Sequence, residues 1–535
     1  MKTHKIINLF CFLLLITDMA FSQENKFQVL SETKFLGKNY LNGADIVGAE
    51  LKFPDKIHDY FVDTVNHFLT VQLRGVKNSG KYKKNGNILQ YNIQTNEILW
   101  TKPINYEICE FLKFDTLMVF NDYNVSYGID AHTGNNIWKV LNYIYSANPQ
   151  YNIGIAYQYL AGNGYTNELM GIGLQQKSKL IWKRNINRTF GWNDFFYLND
   201  STLMVVAAGL HSINIHTGTG WDYNTLTGVD GISGTNMAGA VAGAVAVGVV
   251  GAVLGALTGV FIIPIPTSGT SDEKNIIRDV ASNTLINNGF IYFASKEKLV
   301  KIDKETGNII WESVFQKDLS SKSSIFMVDD VIYMINYGFA YKGNNRIYYG
   351  KPFLAAFDIQ TGKYKYSSLH DHARGYIVDY KQIDNDIYLL FQNKIAKYNL
   401  TTGTKLSEKI FSDGTYGELQ YFADDNVFVL EKNEYLNLAQ YEPLNFHIHS
   451  QRTILSIDEE LNVTNTIRYS RIGNCILNYG DYQFITNDKK TFIVNSKNQI
   501  IAELEITSKF FIIDDILYDK RNNSFIAIDL RNIGF

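Results

Sequence analysis

Between Lys298 and Trp311 the chain reads KLVKIDKETGNIIW. Apolar and polar residues alternate on both sides of the central Asp-Lys-Glu-Thr-Gly. That pattern predicts two antiparallel strands joined by a tight turn, with Gly307 at the position needing a positive φ. The same design recurs as NILQYNIQTNEILW (87–100), VSYGIDAHTGNNIW (125–138) and FLAAFDIQTGKYKY (353–366). Weaker copies end at Trp182, Trp221, Leu406, Ile467 and Leu504. Thr133-Gly134, Thr361-Gly362 and Thr402-Gly403 occupy the corresponding turn.

A second hairpin precedes most copies, pivoting on Asp115, Asp200, Asn288, Asp330, Asn385, Asp425 or Asp515. Two hairpins make four strands, and four-stranded units at about 40 residues predict an all-β protein of the β-propeller kind. Nine complete units can be counted, with a tenth, KFFIIDDILYDKRNNSFIAIDL, that stops after three strands. Propellers usually have four to eight blades, so the expected count is eight to ten. A single ring is favoured because no Pro- or Ser-rich linker divides the chain. KFQVLSETKFLG (26–37) is expected to supply the missing strand and join the two ends.

The copies ending in TGxxxW resemble the repeat of quinoprotein-like propellers, the PQQ-like repeat proteins, and the resemblance covers nearly all of the chain after residue 22. It implies that the aromatic closing each repeat docks between neighbouring blades. Trp100, Trp138, Trp182 and Trp311 hold that position, with Trp221 and Tyr366 at the ends of two further copies. It also raises a quinone-dependent dehydrogenase using pyrroloquinoline quinone and calcium. Such enzymes carry an adjacent Cys-Cys pair, whereas the cysteines here are Cys11, Cys109 and Cys475. There is no Cys-x-x-Cys-His haem site and no Gly-x-Ser-x-Gly elbow. No cofactor is therefore expected, and no catalytic residue is assigned. Non-enzymatic propellers that resemble this chain include periplasmic ones that help assemble outer-membrane proteins. An exported binding scaffold is the favoured class, with a redox enzyme as the alternative.

A composition of 46% hydrophobic and 19% charged residues is that of a folding chain, and a net charge of -3 provides no basic field for nucleic acid. Residues 1–22 read as a signal peptide: Lys2 and Lys5, the apolar run from Leu9 to Ile16, then Ala20-Phe21-Ser22. Cys11 lies inside the apolar run, so no lipid-attachment cysteine is expected. The chain then divides into 23–228 (four blades), 229–272, and 273–535 (the remaining blades).

The segment 229–272 contains MAGAVAGAVAVGVVGAVLGALTGVFIIPIP (237–266), which carries no charge. A single membrane crossing would part the blades on either side of it. The expectation is a Gly/Ala-rich helical insertion between blades four and five that dips into a bilayer or packs on a partner. Gly239, Gly243, Gly251, Gly255 and Gly259 supply small-residue spacing for close helix approach or self-association. A low-complexity insert without a partner, and a genuine span between two separate half-propellers, are the alternatives.

In a propeller, the connection between blades and the loop between the second and third strands emerge on one face. That face collects the insertion, the histidine pair His370/His372, the pair His447/His449, and the loop FAYKGNNRIYYGKP with Phe339, Tyr341, Arg346, Tyr348 and Tyr349. Two imidazoles at i and i+2 of an extended segment point the same way and could ligate zinc or copper. Four exposed loop histidines is the alternative. Asp329-Asp330 and Asp424-Asp425 are read as turn formers bonding their own backbone, with calcium ligation as the other reading. The partner expected at this face is an envelope protein or a membrane surface.

Overall fold

Alternation along the repeats becomes antiparallel pairing throughout the computed structural model. It describes residues 30–533 apart from 161–163, 176–177, 187–191, 193, 208, 225–276, 296, 316–317, 343–344, 370–374, 412–415, 423–426, 433–451, 470–473, 488–489, 496–499 and 508. The strands form eight four-stranded sheets, one nine-stranded sheet and one of three strands. In the fifth repeat Leu285–Asn287, Phe290–Ser295, Lys298–Asp303 and Ile309–Val314 follow one another across the sheet as they do along the chain. A four-stranded meander of this kind is the blade of a β-propeller. The expected apolar helical insertion, 229–272, lies outside the described residues. Among those described, no helix is long and apolar enough to cross a membrane.

Two compact units are distinguished. One holds the described residues of Met1–Ile104, His132–Gly134 and Gly473–Phe535; the other holds those of Asn105–Ala131 and Asn135–Ile472. Within the second unit, sheets consecutive in sequence pack face to face. Tyr292, Leu299, Met334, Phe353 and Phe357 form a core between the fifth and sixth sheets. Met204, Leu210, Ile291 and Val300 do the same between the fourth and fifth. Both faces of the middle strands are thus covered, which is why Phe290–Ser295 is buried at four successive positions.

The turn Asp303–Gly307 shows how the repeat is locked. Asp303 accepts hydrogen bonds from the backbone N–H and the hydroxyl of Thr306, both at 2.8 Å, and Gly307 adopts φ 73°. A Cβ at Gly307 would lie 2.3 Å from the Trp221 ring, so glycine is needed for close approach as well as for conformation. The Trp221 indole also donates to the Lys304 carbonyl, at 3.0 Å. Three further aromatics that end a repeat likewise sit on the turn of the next. Trp182 sits on Gly218 and donates to Ile215, Trp311 sits on Gly362 and donates to Ile359, and Tyr366 sits on Gly403 and donates to Leu400. Trp100 lies against Gly134 within the first unit, and Trp138 is buried across Gly128 of its own sheet.

The strand expected from 26–37 is placed differently. Asp45–Lys52 pairs antiparallel with Ser524–Asp529 and supplies the fourth strand of the last repeat. Leu30–Asn39 instead folds back on Asp45–Lys52 and joins Ile500–Leu504 through residues 37–39. Gly37 permits this pairing, because a Cβ there would be 1.8 Å from the Glu503 carbonyl oxygen. Across the first junction Ser524 donates to the buried Glu50 carboxylate at 2.7 Å, and Lys34 pairs with the same carboxylate at 2.5 Å.

Candidate partner-binding face

In the sixth repeat the second and third strands, Val331–Asn336 and Phe353–Asp358, are joined by an elaborated loop. Phe339–Lys342 and Asn345–Tyr348 pair as a hairpin that leaves the parent sheet. Two glycines pinch its base. Gly338 (φ 85°) lies where a Cβ would be 2.7 Å from Pro352, and Gly350 (φ 65°) where one would be 2.3 Å from the Leu319 carbonyl oxygen. The fully buried Asn336 staples the neck. Its amide donates to Leu319 (2.8 Å) and Lys351 (2.6 Å), and its oxygen accepts from the Ser321 N–H (3.0 Å). Polar groups buried at the neck thus find partners, as burial demands.

The chain re-entering after the apolar segment is tied to this hairpin. Ile277 and Arg278 pair with Lys342 and Tyr341, making a three-stranded annex. Asp279 follows, buried and in the left-handed region (φ 65°), with its carboxylate 2.6 Å from the Lys322 ammonium. Burial raises the Asp279 carboxyl above its ordinary range, against the pull of Lys322. Farther on, Asn283 exchanges hydrogen bonds with both backbone groups of Ile325 on the sixth sheet. Residues 277–283 are thus held by paired backbone, a buried ion pair and a side-chain clamp on the sixth sheet.

The outer side of the annex is aromatic and cationic. The Arg346 guanidinium lies 4.4 Å from the Phe339 ring centroid and 5.1 Å from that of Tyr376, within cation–π range. Tyr376 also meets Phe339 at 5.3 Å and Tyr348 at 5.6 Å. Tyr348 is 58% exposed and Tyr349 is 36% exposed, so large rings face solvent beside a positioned arginine. Tyr348 is oriented by donating to Gln392 at 3.2 Å. Exposed Tyr and Arg held rigidly by neighbours are the residue types that dominate protein-binding surfaces.

Of the residues expected at this face, Tyr341, Arg346, Tyr348 and Tyr349 come together on the annex. His370, His372, His447 and His449 lie outside the described residues, as do Gly239, Gly243, Gly251, Gly255 and Gly259. Among the described residues, no group of three or more His, Cys, Asp or Glu side chains could hold a metal. Trp100, Trp138, Trp182, Trp221, Trp311 and Tyr366 serve in packing, as described above. Sequence reasoning missed Asp279, Lys322 and Tyr376. The Tyr after the His-Asp-His stretch was the one available signal.

No family model matches the chain, and no curated protein matches its sequence. Solved structures similar to it include BamB from Moraxella catarrhalis, at 13% identity over 72% of this chain and 93% of that one, with a TM-score of 0.31. Quinohemoprotein alcohol dehydrogenase from Comamonas testosteroni is similar at 12% identity, over 79% and 75%, with a TM-score of 0.31. Sqt1 of Saccharomyces cerevisiae is similar at 9% identity, over 76% and 94%, with a TM-score of 0.29.

Proposed function

We propose that this protein is a non-enzymatic PQQ-like β-propeller, a single ring, that is exported to the cell envelope and binds a protein partner or membrane surface through one face. The observation that carries the reading is the pairing of Ile277-Arg278 with the Phe339–Tyr348 hairpin. The pairing seats Ile277-Arg278, downstream of the uncharged 237–266 segment, beside the Arg346–Tyr348–Tyr376 cluster, and on this reading the apolar segment and the aromatic surface act together in binding. A 30-residue apolar stretch left in water is an aggregation hazard, whereas burying it in a host is worth many kcal/mol.

Replacing 236–267 by a Gly-Ser linker is expected to shift the protein from envelope membranes to the soluble fraction, or to dissolve an oligomer, with the β-sheet spectrum intact. Arg346→Ala with Tyr348→Ala should weaken capture of the partner while leaving fractionation unchanged. If the intact protein is soluble and monomeric without detergent, and the segment is cut freely by protease, the anchor reading fails. The same preparations, assayed with pyrroloquinoline quinone and calcium, test the enzyme alternative. Saturable calcium-dependent alcohol oxidation would replace the scaffold reading.

A further inference from the structure

The first unit brings like charges together on two neighbouring sheets. Lys56 stands directly opposite Arg74 on the paired strands Lys56–Asp63 and Phe68–Val76. Lys509 and Lys520 face each other where the Lys520 N–H donates to the Lys509 carbonyl, at 2.8 Å. The Ile57 N–H donates to the Asn522 carbonyl at 2.8 Å, which sets the two pairs side by side. Opposed like charges destabilise a sheet, and here the arrangement occurs twice within one locality.

Two of the cations, Lys56 and Arg74, meet at one ring. Lys56 lies 4.7 Å and Arg74 5.2 Å from the Tyr82 ring centroid, and His58 meets the same ring edge-on at 5.7 Å. Lys56, His58, Arg74 and Lys520 are half-buried and Lys509 is exposed, so solvent reaches the group. Burial, then Lys509 and Lys56, bring the Lys520 ammonium down to about 8 in spite of the opposing Asp59. Burial, then Arg74, Lys520 and Lys56, bring His58 down to about 4, leaving a neutral imidazole at pH 7. Asp59 is itself raised to about 6 by burial. Asp519, beside Lys520 in sequence, is engaged by Thr507 and Arg521. The Asp55 and Lys83 side chains both approach Gly75.

We propose that Lys56, Arg74, Lys509 and Lys520, gathered around Tyr82 and His58, form a binding site for a phosphate group. A dianionic oxyanion suits four neighbouring cations better than a single carboxylate, because its charge and three acceptor oxygens can be shared among several donors. The ammonium groups supply point charges and the guanidinium a planar fork.

Titration calorimetry of the full chain with inorganic pyrophosphate, at constant ionic strength, tests this. Saturable binding is expected, with Kd raised roughly tenfold by Lys520→Gln or Lys56→Gln, the loss of one charge-assisted hydrogen bond, and unchanged by Lys179→Gln. Near pH 8, binding should take up a proton as Lys520 is recharged, seen as a heat that varies with the buffer's ionisation enthalpy. In phosphate-free buffer Lys520→Gln should melt higher than the native chain, since it relieves repulsion, so loss of binding is separable from misfolding. Cosedimentation with phosphatidic-acid vesicles, abolished by the same variants, would identify a lipid headgroup as the source; binding of pyrophosphate alone would identify free phosphate. Binding of both probes unaffected by the Lys56 and Lys520 variants, or no binding of either, overturns the site.

Discussion

The fifth and sixth sheets are built from one repeat and differ in what joins their second and third strands. In the fifth, Ser295 and Lys298 are opposed across a tight turn. In the sixth, residues 337–352 intervene and fold into the annex. The strands that face the core do not register the difference: Phe290–Ser295 and Val331–Asn336 are both buried over their central residues. Instead, the neck carries the adjustment, through Asn336, Ser321 and two left-handed glycines. A repeat whose packing is complete at its sheet can take a loop of any chemistry, provided the loop satisfies its own polar groups.

Gly362→Val should break the shared scaffold most severely. It places a β-branched residue at φ 68° with its Cβ 2.5 Å from the Trp311 ring, and left-handed strain plus overpacking together cost roughly 4 kcal/mol. Chemical denaturation should show that loss globally. Gly350→Val is the matched change at the annex, and it should free the hairpin to limited proteolysis with a smaller shift of the main unfolding transition.

Next in size is Lys322→Met, which strands the buried Asp279 carboxylate and should cost about 3 kcal/mol. Adding Asp279→Leu should recover most of it. Asp279 also sets a pH dependence. Because its folded pKa is raised by burial, its contribution is complete below the unfolded carboxylate value and is lost as pH rises through the folded one. Melting temperatures measured against pH should fall over that range, and Asp279→Asn should flatten the fall.

Trp311→Phe keeps most of the ring but removes the 3.1 Å bond to Ile359, for a loss of about 1 kcal/mol. The smallest effect is expected at the half-buried Asp358, whose carboxyl is held below its ordinary range by hydrogen bonds from Thr361. Its contribution is present at neutral pH and disappears as pH falls through the folded value. Asp358→Ala should therefore lower the melting point slightly at pH 7 and leave it unchanged in strong acid.

Local chemistry made the repeats legible. Asp303, Thr306 and Gly307 declare their turn by residue type, and the alternation around them declares the strands. Asp45–Lys52 was hidden because its inward positions include Gly48 and Glu50 rather than an apolar pair. The space at Gly48 is closed by Leu36, Ile526 and the Ala527 carbonyl, a constraint that arises only once distant strands meet. The annex was foreseeable as a long loop, but a strand of two residues, Ile277-Arg278, leaves no period to read. The cations at 56, 74, 509 and 520 are scattered along the chain and become neighbours only through strand register.

Completing the last sheet from Asp45–Lys52 has a consequence for the order of assembly. Glu50 and Ser524, bonded across that junction, are 474 residues apart. Bringing together ends separated so far costs about 5 kcal/mol of chain entropy if nothing between them is ordered. The intervening repeats, each made of contacts close in sequence, can fold first and shorten the effective separation before the junction forms. Until then Asp45–Lys52 has only its neighbour Leu30–Asn39 to pair with, and its other edge keeps a row of open backbone groups. The slow, concentration-sensitive step in maturation is expected at this junction, where a chaperone or a low local concentration matters more than anywhere else in the chain.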